Sequence, residues 1–203
     1  MTNRYNNYSD FLKNKYGVKV YKLPISIPVT CPNRDGTCGF EGCSFCGDIG
    51  AGYQHVPDTV GIKEQIAMHK GHIIDKYKAK KFIAYLQNYS NTYLPLATLE
   101  KYLLEACDED VVRIALATRP DCVSDSYLEK LADIKSKTKV DISVELGLQT
   151  VNYHALEEIR RGHSLAEYLD AMQRINKYGL ESCTHVILNL PGSDRWDVIE
   201  TAK

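Results

Sequence analysis

Four thiols fall within one short run, Cys31-Pro32-Asn33-Arg34-Asp35-Gly36-Thr37-Cys38-Gly39-Phe40-Glu41-Gly42-Cys43-Ser44-Phe45-Cys46. Thiolates select zinc, copper(I) or iron–sulfur clusters over hard, oxygen-seeking cations. Cys43 and Cys46 reach one metal centre from a single tight turn, and a Gly-containing loop brings Cys31 to the same place. Three chemistries fit this pattern. All four thiols would close a structural zinc tetrahedron, although only one Cys-x2-Cys knuckle is present. Cys31, Cys43 and Cys46 alone would hold a 4Fe-4S cluster, with one iron left open to a substrate. A redox disulfide between Cys43 and Cys46 is the third. Such a pair usually sits at a helix N-terminus that depresses its pKa, whereas this one follows Gly42 in a Gly-rich loop.

These thiols must be carried by a scaffold, and the hydrophobic pattern describes one. Apolar, β-branched runs at 18–28, 81–86, 111–118, 140–148 and 184–190 read as five strands. Helical spacing fills 58–79, 96–107, 124–137 and 164–178, and a further helix opens at Ser193. Ser164 and Glu167 predict a capping box, and Gly179 stands where a helix C-terminus turns left-handed. Strands separated by helices at such intervals imply an α/β fold with a parallel sheet of βα units, either open or a barrel. Ligands of both architectures sit at the carboxyl ends of the strands. The cysteine loop, Gln87 to Thr92, Thr118-Arg119-Pro120-Asp121, Gln149 and Pro191-Gly192 all fall there.

With 203 residues the chain suffices for one domain, here expected to occupy 1–203 as a partial barrel that stops after its fifth strand. Twenty-five Lys and Arg against 26 Asp and Glu leave a net charge of -1, which gives no global pull toward nucleic acid or anionic membrane. No apolar run is long enough to span a bilayer. Seven clustered cysteines in a helix-rich chain differ from a secreted disulfide scaffold and predict reduced thiols in the cytoplasm.

The run Thr30 to Thr37 followed by Gly42-Cys43-Ser44-Phe45-Cys46 resembles the YhcC/YtqA-like family of radical S-adenosylmethionine (radical SAM) proteins. It is also similar to the radical SAM domain of the Elongator catalytic subunit. The likeness continues through Tyr85-Leu86-Gln87-Asn88-Tyr89-Ser90-Asn91-Thr92-Tyr93 and Thr118-Arg119-Pro120-Asp121-Cys122. It returns in Glu145-Leu146-Gly147-Leu148-Gln149-Thr150, in Arg161-Gly162-His163 and in Leu190-Pro191-Gly192. The resemblance implies a TIM-type (β/α) barrel in which Cys31, Cys43 and Cys46 bind a 4Fe-4S cluster and Cys38 is a bystander. It implies an enzyme of oxidoreductase or group-transfer type that reductively cleaves S-adenosylmethionine to a 5′-deoxyadenosyl radical, which takes hydrogen from an unknown substrate. An external low-potential electron donor goes with that chemistry. Phe45, Gln87, Asn91, Gln149, Arg161 and Pro191 match positions near the bound S-adenosylmethionine. The Gly-Gly pair common after the second strand of such proteins is replaced here by Gln87-Asn88-Tyr89-Ser90.

The other candidates have plainer readings. His69 and His72 fit a solvated helix face, Lys76 to Lys81 a helix end complementing its dipole, and His185 a hydrogen-bonded strand residue. Cys107, Cys122 and Cys183 read as buried thiols. The competing function is a non-catalytic binding module, stabilised by zinc or a cluster, for which transfer RNA is a partner by analogy alone.

Overall fold

The computed structural model describes residues 4–48, 50 and 56–203. Five strands, β1 (Val20–Ile25), β2 (Lys81–Leu86), β3 (Val111–Thr118), β4 (Asp141–Gln149) and β5 (Glu181–Val186), form one parallel sheet in chain order. The crossovers carry α2 (Ile62–Tyr77), α3 (Leu96–Ala106), α4 (Asp125–Thr138), and the pair α5 (Tyr153–Glu158) and α6 (Leu165–Lys177). A last helix, α7 (Arg195–Ala202), follows β5.

The sheet curls as a barrel segment does. On a flat sheet β1 and β4, three strand spacings apart, would stand about 14 Å from one another. Yet Lys22 of β1 places its Nζ 2.6 Å from Glu145 Oε1 of β4. The convex face is apolar: Leu23, Phe82, Ile114 and Val144 bury against α2, α3, α4 and α6 in one continuous core. The concave face is polar where Lys22, Tyr85 and Glu145 meet.

A helix that the sequence pattern did not announce plugs the amino-terminal end of this concave face. In α1 (Tyr8–Tyr16), Asn7 caps the first turn by accepting from the Ser9 N–H, and Gly17 ends it at φ 72°. Leu12 alone among its side chains is fully buried, packed on Val20, Ile83 and Ala115. The Tyr16 hydroxyl donates to Asp141 Oδ2 at 2.6 Å and accepts from Arg113 Nε at 3.1 Å, while Arg113 also pairs with Glu181 at 2.5 Å.

Burial alone would raise the Asp141 pKa, but Tyr16, Lys15 and Arg113 outweigh it and hold the carboxyl below its ordinary value. A depressed carboxyl contributes stability that is complete above the unfolded pKa and is lost as pH falls through the folded one. Tyr16→Phe is therefore expected to cost about 1–3 kcal/mol at neutral pH, by leaving Asp141 and Arg113 short of a partner. It should also flatten the acid limb of stability. Urea titrations of parent and variant at several pH values between neutrality and the aspartate range check both effects.

Two expectations are corrected by the fold. The fifth strand is Glu181–Val186, not 184–190, because its polar residues face the charged concave side and an edge. The apolar run beyond it is a loop, whose Ile187 and Leu190 pack on α5 instead. Cys183 is exposed, and Cys107 and Cys122 are only half-buried, so these are not three buried thiols. The capping box Ser164/Glu167 is formed, and Gly179 has φ 65°.

Candidate metal centre

Cys31 comes six residues after the end of β1 and lies at the carboxyl ends of the strands, where the loop to Cys46 folds back over the sheet. Pro32 O accepts from the Cys38 N–H, Asn33 O from Gly42 N–H and Cys43 O from Cys46 N–H, each within 2.9 Å. Arg34 ties the end of the loop, donating from Nη2 to Gly47 O at 2.7 Å and Cys46 O at 3.1 Å. Gly42, at φ 75°, is required here: a Cβ would stand 3.0 Å from Arg34 Nε.

Two buried cations and two neutral donors converge on the sulfurs. Arg161 Nη1 and Asn33 Nδ2 approach Cys43 Sγ at 3.7 and 3.2 Å. Arg119 Nη1 and Ser90 Oγ approach Cys31 Sγ at 3.9 and 3.7 Å. Arg119, 1% exposed, is neutralised by Asp121 through bonds of 2.9 and 2.7 Å. Among the described residues no carboxylate pairs with Arg161. Its Nη2 donates to Gly147 O at 2.9 Å and its Nε to His163 Nε2 at 2.8 Å.

His163 must be neutral for that bond. Burial, followed by the charge of Arg161, pushes its pKa down to about 4. The proton then sits on Nδ1, which donates to Ser164 O at 3.3 Å. A buried guanidinium held by neutral partners calls for an anion, and thiolate sulfur is the acceptor within reach. Burial pushes the Cys46 thiol up against the pull of Arg34, so a metal must displace its proton.

The hollow beside these sulfurs measures about 110 Å³. Cys31, Cys43, Cys46, Phe45, Gln87, Gln149 and Arg161 all border it, so the structure brings together most of the residues expected there. Two are not brought in. Asn91 is wholly buried and spends its amide on Leu86 O, Asn88 O and Ala117 O, stitching β2 to β3. Pro191 is exposed and lies outside the lining. Each guanidinium nitrogen of Arg161 makes one contact with a protein atom, Nη1 with Cys43 Sγ, while the side chain borders the hollow. Sequence reasoning missed Asn33 and Arg119 as sulfur partners, though both stood inside quoted motifs.

Gln149 enters the site through a left-handed backbone, φ 74°, where the register between β4 and β5 shifts. Such strain concentrates where function over-determines the backbone. Gly147 makes room for it: a Cβ there would lie 2.5 Å from both Arg161 Nη2 and Gln149 Nε2. Gly147→Ala must push aside two flexible side-chain ends rather than backbone. The expected outcome is a fold destabilised by about 1–3 kcal/mol with much weaker iron retention. Thermal melts of metal-free protein, set beside iron analysis of loaded protein, separate these two effects.

Deeper in the concave face, Glu145 Oε2 lies 2.8 Å from His185 Nε2, and Lys22 holds the other carboxylate oxygen. Hydrogen bonds to Cys183 and then to Glu145 push His185 up to about 9. A larger hollow of about 840 Å³ lies on the far side of the cysteine loop, bordered by Cys38, Phe40, Leu156 and Arg160. None of the other three loop thiols reaches it, which separates Cys38 from them.

Comparison with known proteins matches residues 25–203 to the radical SAM superfamily. The chain is 37% identical over 201 residues to the uncharacterized protein YtqA of Bacillus subtilis, covering 98% of this chain and 62% of that protein. It is 34% identical over 197 residues to protein YhcC of Escherichia coli K12, covering 97% and 62%. The chain thus spans about three-fifths of the length of these relatives. In fold it resembles archaeal Elp3 from Methanocaldococcus infernus, with a TM-score of 0.61 at 16% identity over 90% of this chain and 41% of that one. A partial parallel barrel, a three-thiol loop at its carboxyl edge and a family match across nearly all of the chain agree: this protein belongs to the radical SAM superfamily.

Proposed function

We propose that the chain is the core of a radical SAM enzyme in which Cys31, Cys43 and Cys46 hold a 4Fe-4S cluster and the adjoining hollow takes S-adenosylmethionine. The observation that carries this reading is the buried Arg161, without a carboxylate partner among the described residues, aimed at Cys43 Sγ alongside Asn33. Three thiolates on a cluster supply the negative charge that this cation lacks. Zinc fits less well. Four thiolates on zinc stand about 3.8 Å apart, given bonds of about 2.3 Å in a tetrahedron. Among the described residues no three of Cys31, Cys38, Cys43 and Cys46 bring their sulfurs within 4.8 Å of one another, and Cys38 borders the other hollow.

A reduced cluster held by Cys31, Cys43 and Cys46 would supply the electron for reductive carbon–sulfur cleavage of S-adenosylmethionine, and so hydrogen-abstraction chemistry toward a substrate. The chain's own residues prepare the place for it. Arg119, Ser90, Arg161 and Asn33 stabilise charge on sulfur, and such hydrogen bonds set cluster potential. Phe45, 39% exposed on the rim, offers an aromatic face to the hollow. Gln87 stands in the segment after β2 where other family members use backbone from a Gly-Gly pair, and Gln149 borders the hollow from the end of β4.

Protein reconstituted without oxygen tests the reading. About four irons and four sulfides per chain are expected, followed by 5′-deoxyadenosine on addition of dithionite and S-adenosylmethionine. A single zinc without sulfide in folded protein would remove the proposal and favour the binding-module alternative.

A further inference from the structure

We propose that Glu145, Cys183 and His185 form a second metal site, for a divalent ion of the zinc class, on the concave face of the sheet below the cluster loop. One ligand atom from each residue lies within 4.8 Å of the other two, a grouping that among the described residues these three make. Imidazole, thiolate and a single carboxylate oxygen are the donor set of zinc and its neighbours, and disfavour magnesium and calcium. Register places the ligands together. Glu145 pairs with Cys183 across the β4–β5 ladder, and Gly147 pairs with His185 two residues on. Cys183 and His185 alternate onto one face of β5.

The separations suit a metal. Bonds of about 2.0–2.3 Å in a tetrahedron place ligand atoms about 3.3–3.6 Å apart. The His185–Glu145 contact of 2.8 Å needs only a small opening to admit the ion. The carboxylate is already oriented: Lys22 Nζ holds Oε1 at 2.6 Å, the Tyr85 hydroxyl bonds the carboxylate as well, and Oε2 is turned toward His185. Such outer partners are what a working metal site requires. With three protein ligands the fourth position stays open, as in catalytic rather than structural zinc sites. Glu145 and His185 both border the hollow shared with Cys31 and Gln149. The open position therefore faces a substrate bound there, and would take an oxygen or nitrogen donor from it.

The proposal stands on these side chains and does not require the cluster. Its test uses cluster-loaded protein, titrated without oxygen with Co²⁺, and reads the difference spectrum against the same sample before addition. One equivalent of cobalt with a thiolate-to-cobalt charge-transfer band is expected, displaced by Zn²⁺ and untouched by excess Mg²⁺. Cys183→Ser should remove that band, and His185→Gln should weaken binding at least about tenfold. Both side chains are partly exposed, and circular dichroism of each variant verifies the fold. Absence of the band in the parent, or its persistence unchanged in either folded variant, overturns the site. Iron and sulfide counts on the same samples report the cluster separately, so either reading can fail without the other.

Discussion

Cys43→Ala is expected to abolish the iron–sulfur chromophore and lower iron retention at least about a hundredfold, and with it all formation of 5′-deoxyadenosine. Cys38→Ala is expected to leave both unchanged. The two thiols are five residues apart in the same loop, yet they face different surroundings. Cys43 is 6% exposed and receives Asn33 and Arg161 on its sulfur, whereas Cys38 is exposed and borders the outer hollow. A four-thiolate zinc site would make the two variants equivalent, so equal loss of metal from both would sink the cluster reading. Absorption spectra and iron analysis of the two variants, prepared side by side without oxygen, decide it.

The parts of this arrangement that sequence reveals are those set by short-range pattern. The runs 81–86 and 111–118 are strands with those bounds because both faces are nearly filled by apolar side chains, the signature of a covered parallel strand. β5 breaks that signature. Glu181, Ser182, Cys183 and Thr184 are polar because they meet Arg113, Glu145 and the sheet edge, so hydrophobicity pointed three residues too far along. α1 was hidden for a related reason: one buried leucine in nine residues gives almost no periodicity, and only Asn7 signals its start. The thiols could be read from spacing alone. Their electrostatic setting could not, since Arg119 and Cys31 are 88 residues apart and Asn33 and Arg161 are 128. Only the closing of β1 onto β3 and β4 brings those groups together.

Arg161→Met should distinguish a cation that merely packs from one that balances the charge of a cluster. In metal-free protein the substitution forfeits bonds to Gly147 O and His163 Nε2, worth about 1 kcal/mol each. It also relieves a buried guanidinium that no carboxylate among the described residues compensates, and the two effects largely offset. The metal-free fold is therefore expected to change by no more than about 1 kcal/mol. In loaded protein the same change removes one partner of a buried charge pair, at a cost of about 3–5 kcal/mol. The stabilisation that loading confers on the parent should thus shrink sharply, and iron should leave the variant faster under a chelator. Denaturant titrations of metal-free and loaded forms of both proteins measure the four stabilities directly. Equal destabilisation in both forms would make Arg161 a packing residue and cut the link between its buried charge and the anion bound at Cys43.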